Sequence, residues 1–403
     1  MTSGIAPHQI VIAGAGYAGL HVALRLSTWL DRHRMVQATL VDQHPYHQVI
    51  TELPRVAAGT RLASAVRLPV EQLLEQHLTF VQATISGFDL PAGRVLTTAG
   101  ALPYTRLVLP LGSRPNDFAI PGLAERTIPL YSVDDAEHVW RAVQAAVTAA
   151  AGEREPERQR CLVTAVVGGG GATGVELVGE LAEVLPELAR RHGLAADLPR
   201  VILVEAGPTI LAGSSPGLIE RAGRILGDLG VQVLTQSRIA EATADGFTLA
   251  NGTLIRGGLF LWAGGVKAPA VIADSGLPVG YNGRLKVDQY LRVLDHPALY
   301  AAGDVASVVD PSTGRVLPPL AQIALDEGET VADNLEAEVL GQPLRPFVFR
   351  HKGSAVSVGP TRGVAEVAGR PFGGRLAHAL KDAIEWEYRN SVQHLRGWSP
   401  FGG

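Results

Sequence analysis

Two glycine-rich turns, each set between an apolar run and the start of a helical pattern, restrict this chain more than any other feature. The denser one lies in Ala165–Leu181, AVVGGGGATGVELVGEL. A dinucleotide-binding turn needs three glycines: one for the sharp turn, one for close approach of a pyrophosphate, one for tight packing of helix on strand. A register starting at Gly168 requires glycine where Thr173 stands, whereas one starting at Gly169 puts Gly169, Gly171 and Gly174 in place. A diphosphate is then expected at the N-terminus of a helix opening near Ala172, against unpaired N–H groups and the positive end of the helix dipole. The second turn comes early in the chain. Gln9–Ala13 reads as a buried strand running into Gly14, Gly16 and Gly19, and Leu20–Leu30 has a helical apolar spacing.

Each turn is followed by an acid. The strand Ala38–Val41 ends in Asp42, and Val201–Val204 ends in Glu205. A carboxylate at the tip of the second strand accepts from a ribose hydroxyl. At Glu205 it suits a free 2′-hydroxyl and repels a 2′-phosphate. No arginine or lysine follows within AGPTILAGSSPG, so NADH is favoured over NADPH. Residues 78–109 read as short strands that end at Leu111-Gly112-Ser113. A helix is expected from Ser132, with Asp134 and Asp135 in its first turn. Gly152–Arg160 reads as an exposed charged connection, and Cys161–Val167 as the strand feeding the denser turn. Leu259–Gly265 and Leu299–Val305 are further apolar strands, the latter ending in Gly303-Asp304. Leu317–Glu336 reads as a turn and a helix, and the tail from Phe347 as a strand-like pair and a helix from about Arg375.

Composition narrows the class. The 403 residues allow two or three cores, and 46% hydrophobic with 18% charged residues suits a globular protein. A net charge of −4 gives no reason to expect nucleic acid. Cys161 is the only cysteine, which excludes an intramolecular disulfide, a redox dithiol and any cysteine-built metal site; it reads as a buried thiol. His44 and His47 have no third ligand nearby, so no metal is expected. Trp262 reads as core. The N-terminus lacks a signal-peptide pattern and no window approaches the ~20 apolar residues of a membrane span. A protein kept in the cytoplasm is expected.

With two glycine units and Ala301-Ala302-Gly303-Asp304, the chain resembles the two-dinucleotide flavoprotein reductases. Among them it is most similar to the type II NADH dehydrogenases, single-subunit NADH:quinone oxidoreductases. Segments carrying the resemblance include IVIAGAGYAGL, LVDQHPYH, LVEAGPTIL, LWAGGVKAP and YAAGDVAS. GVELVGEL, PPLAQIA and HKGSAVSVG together are its more specific part. The resemblance implies an α/β fold with two Rossmann-like dinucleotide-binding domains. An NAD(H)-binding domain (119–285) is inserted into a discontinuous FAD-binding domain (1–118 and 286–345), and a short C-terminal α/β extension (346–403) ends in an amphipathic helix. It implies FAD at Gly14, Gly16, Gly19, Asp42, Gly112, Ser113, Gly303, Asp304 and Ala321, and NADH at Gly169, Gly171, Gly174, Glu205 and Gly264. Glu176 matches a residue near the nicotinamide, and its position in a first helical turn also suits a carboxylate by dipole alone. Gln322 and Lys352 line the acceptor side. Hydride would pass from NADH to the flavin and two electrons on to a quinone, which must meet the flavin directly because no dithiol exists.

Two departures bear on the acceptor. The family's AQ-x-A-x-Q reads here Ala321, Gln322, Ala324 and then Asp326. The tail helix, Arg375–Arg396, has a stripe of Leu376, Leu380, Ile384, Tyr388, Val392 and Leu395 with charges on its other faces. One narrow seam reads as packing on the same chain or on a second copy in a homodimer, with peripheral membrane contact on the cytoplasmic face as the alternative. A reductase of a soluble acceptor and a redox-sensing FAD/NAD-binding protein remain the competing functions.

Overall fold

A computed structural model describes residues 8–394 other than 34, 75 and 76. The first seven residues, and Leu395 at the end of the expected tail stripe, lie outside the described residues. Strand β1 (His8–Ala13), buried from Ile10 onward, passes through the early glycine turn into helix α1 (Tyr17–Leu30) and on to β2 (Val36–Asp42), parallel to β1. Two adjacent parallel strands joined by a helix make a βαβ unit, whose crossover places the turn at the carboxyl edge of the sheet. Leu78–Gln82 and Arg106–Leu109 flank this pair, and Leu299–Ala301, from far along the chain, completes a five-stranded parallel sheet by pairing with Arg106–Leu109. The short helix α2 (Leu53–Ala57) follows the HPYH stretch.

The second unit repeats the plan. Strand β3 (Thr164–Gly168), helix α3 (Ala172–Arg191) and strand β4 (Arg200–Val204) form its centre. Ile128–Pro129, Leu259–Trp262 and Gln232–Leu234 complete another five-stranded parallel sheet. Helix α4 (Ala321–Val339) lies on α1 so closely that a Cβ on Gly328 would stand 2.7 Å from the Ala18 carbonyl oxygen. The tail forms a three-stranded antiparallel sheet and helix α5 (Arg375–His394).

Two expectations are corrected. Pro156–Leu162 is a helix, not a loose connection: Glu155 accepts the N–H groups of Glu157 and Arg158, and proline at the first position suits a helix start. Cys161 therefore sits on a helix, partly exposed, and the strand begins at Thr164. The tail helix is also turned differently from its apolar stripe. Ala377, Lys381, Glu385, Tyr388 and Val392 face inward, while Leu376 and Ile384 are 70% and 39% exposed. Charged side chains occupy the covered face because partners from elsewhere in the fold meet them there.

Candidate functional site

The two glycine turns match position by position. Gly14 and Gly169 have φ of +131° and +107°, which side chains rarely adopt, and a Cβ on either would strike backbone, the Pro110 oxygen at 2.7 Å and the Ala263 oxygen at 2.4 Å. A Cβ on Gly19 or Gly174 would lie 1.9 Å from the carbonyl oxygen of Gly14 or Gly169. The middle glycines differ. Gly16 and Gly171 are the N-caps of α1 and α3, without a side-chain cap, and no atom lies within 4 Å of where a Cβ would stand. Both helix starts thus offer N–H donors beside a space that one methyl group would narrow, a geometry that fits a diphosphate.

The acids face back onto these turns. Asp42 accepts the N–H of Ala15 at 2.7 Å and of His44 at 2.8 Å. Glu205 accepts Gly170 at 2.6 Å and Gly207 at 2.5 Å. Trp262 is buried, its indole N–H donates to the Asn116 oxygen, and its ring lies against Gly264. Within the early unit, the Ser113 hydroxyl donates to Asp304 at 2.8 Å, which joins the turn at Gly112-Ser113 to Gly303-Asp304. Ala321 opens α4, whose Ala324 Cβ lies 3.7 Å from where a Cβ on Gly303 would stand.

Beneath Asp304 lies a carboxylate that sequence reasoning missed. Glu327 on α4 is buried and accepts the Gly303 N–H at 2.5 Å. Burial pushes its pKa up to about 8, although the Gly303 N–H and the Arg284 guanidinium pull it down. Burial raises Asp304 too, with Ser113 and Arg284 opposing. A carboxyl whose folded pKa is raised favours the native state while protonated. Its contribution is complete below the unfolded value and falls away as pH rises towards 8. Glu327→Gln should therefore melt like the parent near pH 4 and increasingly above it as pH rises from 5 to 8. Equal pH slopes of Tm in both proteins would contradict this.

Glu176 also lies inward. Its Oε1 accepts the N–H and hydroxyl of Ser357 at 3.1 and 3.2 Å, and the Lys381 ammonium lies 3.3 Å away. Lys381 also pairs with Glu385 at 3.0 Å. Burial alone would depress Lys381, but the two carboxylates overcome it and hold the ammonium above its ordinary value. The sequence placed Lys352, not Lys381, among the functional lysines. Nothing in local spacing marks Lys381 as the partner of Glu176. Lys352 pairs with Asp326 at 2.9 Å, so the carboxylate that departs from the glutamine pattern is charge-matched. Gln322, one helical turn before Asp326, has a buried side-chain Nε2 without a hydrogen-bond partner. A buried donor in that state invites an acceptor from a bound molecule. Among the described residues, no three His, Cys, Asp or Glu side chains gather where they could hold a metal ion.

Residues 8–328 match the pyridine nucleotide-disulphide oxidoreductase family. The chain is 30% identical over 381 residues to the type II NADH:quinone oxidoreductase of Staphylococcus haemolyticus and 29% identical over the same length to that of Staphylococcus aureus, covering 94% of this chain and 94% of each relative. Its fold is similar to that of NDH2 from Plasmodium falciparum in complex with NADH, with a TM-score of 0.85 at 16% identity, covering 98% of this chain and 100% of that one. It is also similar to the sulfide:quinone oxidoreductase of Aquifex aeolicus, with a TM-score of 0.78 at 16% identity over 96% and 91% of the two chains.

Proposed function

The chain belongs to the pyridine nucleotide-disulphide oxidoreductase family, and from this we propose that it is an FAD-dependent NADH:quinone oxidoreductase of type II. The observation that carries the proposal is the matched pair of open glycines, Gly16 and Gly171, each beside a carboxylate turned onto its own turn. We assign FAD to the unit in which Ser113 and Asp304 meet, built from 1–118 and 286–345, and NADH to the unit at 119–285. Residues 346–403 form the extension. Bound flavin supplies the chemistry that accepts a hydride and passes on electrons in pairs. The chain's own residues do the rest.

Gly14, Gly16, Gly19 and Asp42 hold one dinucleotide, with Asp304, Ser113, Gly112, Gly303 and Ala321 along its length. Gly169, Gly171, Gly174, Glu205 and Gly264 hold the other. Glu205 selects NADH because its carboxylate accepts from a hydroxyl and repels a phosphate. Glu176, paired with Lys381, keeps a charged group out of water near the hydride donor. Gln322 offers its unpartnered N–H to a quinone carbonyl. With one cysteine in the chain, electrons have no dithiol to enter.

The outward face of α5 supports a peripheral membrane contact. Leu376 and Trp386 are 70% and 63% exposed, and Ile384 and Ala383 lie between them. Among the described residues no helix is long and apolar enough to cross a membrane, so this face would lie in the lipid interface. Replacing Leu376 and Trp386 by aspartate should release the protein from phospholipid vesicles in a flotation assay. Vesicle binding that survives, or a dimer that the substitutions dissolve, would reassign the face to other contacts.

The function is tested by anaerobic reduction of the flavin-loaded protein with NADH or NADPH, followed by menaquinone and ubiquinone analogues. We expect faster bleaching by NADH and reoxidation by a quinone. Protein that takes up no flavin would end the proposal, and reoxidation by a soluble acceptor alone would move it to that competing reading.

A further inference from the structure

His47, left without a role by the chemistry above, connects the tail helix to the early glycine turn. It is fully buried, and both ring nitrogens are engaged: Nδ1 lies 2.8 Å from the Ala15 carbonyl oxygen and Nε2 lies 2.7 Å from the Tyr388 hydroxyl on α5. A carbonyl only accepts, so Nδ1 carries the proton. In a neutral ring Nε2 is then an acceptor, and the Tyr388 O–H donates to it. Burial pushes the His47 pKa down to about 4 and raises the Tyr388 phenol well above its ordinary value, so these polarities hold across neutral pH.

Ala15 stands between Gly14 and Gly16. Its carbonyl belongs to the peptide whose N–H is that of Gly16, and because that peptide is planar and trans, holding the oxygen aims the N–H the opposite way. A second contact reaches the same place. The ring of Tyr17, the first residue of α1, stacks on Tyr388 with centroids 4.8 Å apart. Its hydroxyl lies 3.2 Å from that of Thr51, which donates to Glu385 on α5 at 2.7 Å.

The other unit handles the equivalent carbonyl differently. Gly170, in the position of Ala15, has its oxygen bonded by the backbone N–H of Leu211 at 2.7 Å, from a loop of the same unit. The late turn's carbonyl is thus held by a backbone N–H of its own unit, whereas the early one's is held by a side chain, His47, that the tail helix backs through Tyr388.

We propose that Tyr388, acting through His47, is a positioning residue for the dinucleotide at the early glycine turn, so that the C-terminal helix is a working part of that site. The inference rests on the reading that this turn holds FAD.

Tyr388→Phe keeps the stacked ring and deletes the donor, leaving His47 Nε2 buried without its hydrogen bond. The FAD dissociation constant, measured by reconstituting flavin-stripped protein, should rise about tenfold. The visible circular dichroism of the bound flavin should change, and NADH affinity of the stripped protein should stay within about twofold. His47→Gln, which acts on the same chain of bonds, gives the same reading if Tyr388→Phe does not fold, and the double variant should be no weaker than His47→Gln alone. Unchanged FAD affinity overturns the inference, as does parallel loss of FAD and NADH affinity, which a merely structural role would produce. Parent protein that binds no FAD overturns the reading of the early turn, and this inference with it.

Discussion

Gly16→Ala should yield protein that purifies without flavin colour yet binds NADH, and Gly171→Ala should yield yellow protein that NADH does not reduce. Both glycines have φ near −70° with extended ψ, a conformation alanine adopts freely, and no atom stands within 4 Å of the added methyl. Each substitution should therefore cost the fold less than about 1 kcal/mol, the ordinary penalty for alanine at an N-cap. The methyl instead enters the space a diphosphate must occupy. Binding weaker by roughly 100-fold or more, about 2.7 kcal/mol, is expected at the affected turn only. Gly174→Ala is the contrasting case. Its methyl would stand 1.9 Å from the Gly169 oxygen, so the turn itself must move and the protein should lose ~3 kcal/mol or more of stability. Calorimetric titration with each dinucleotide, beside urea melts, separates the two effects. Gly171→Ala that binds NADH as the parent does would show that the late turn holds something else.

Lys381→Met should be the most damaging substitution on the tail helix. It leaves Glu176 and Glu385, both buried, facing one another without their shared cation. Breaking a buried pair in this way costs ~3–5 kcal/mol. Urea melts of the variant and the parent measure the loss, and equal stabilities would show that the fold does not need the shared cation. Glu176→Gln should be milder for stability, because Lys381 keeps Glu385, but it should slow either flavin reduction by NADH or quinone turnover. Stopped-flow traces unchanged in both half-reactions would remove Glu176 from the chemistry.

The parts of this protein legible in its sequence are those decided by near neighbours in the chain. The register Gly169, Gly171, Gly174 followed from one comparison with Thr173, and the acids Asp42 and Glu205 followed from strand ends. Both depend on geometry within a single strand–turn–helix–strand unit. The tail helix shows the limit. Its apolar stripe predicted Leu376 and Ile384 inside, yet Lys381 and Glu385 hold that position because Glu176 and Thr51 approach from remote segments. Glu327 escaped notice for the same reason, since Gly303 and Arg284 meet it only in three dimensions. The helix at Pro156 was different. Glu155 before proline is a readable helix start, but the charged composition around it suggested a loop.

The first sheet cannot be finished until Leu299–Ala301 has been made, because that strand pairs with Arg106–Leu109 across all of the intervening chain. The second sheet draws every strand from Ile128 to Trp262. On a ribosome, the inner unit is expected to reach its native sheet while the outer one still waits with an unpaired edge. Nascent chains stalled once residue 290 has left the tunnel should protect the inner unit from protease and leave Arg106–Leu109 open to cleavage. Synthesis order would then make the later-completed nucleotide site the one that appears first in the sequence.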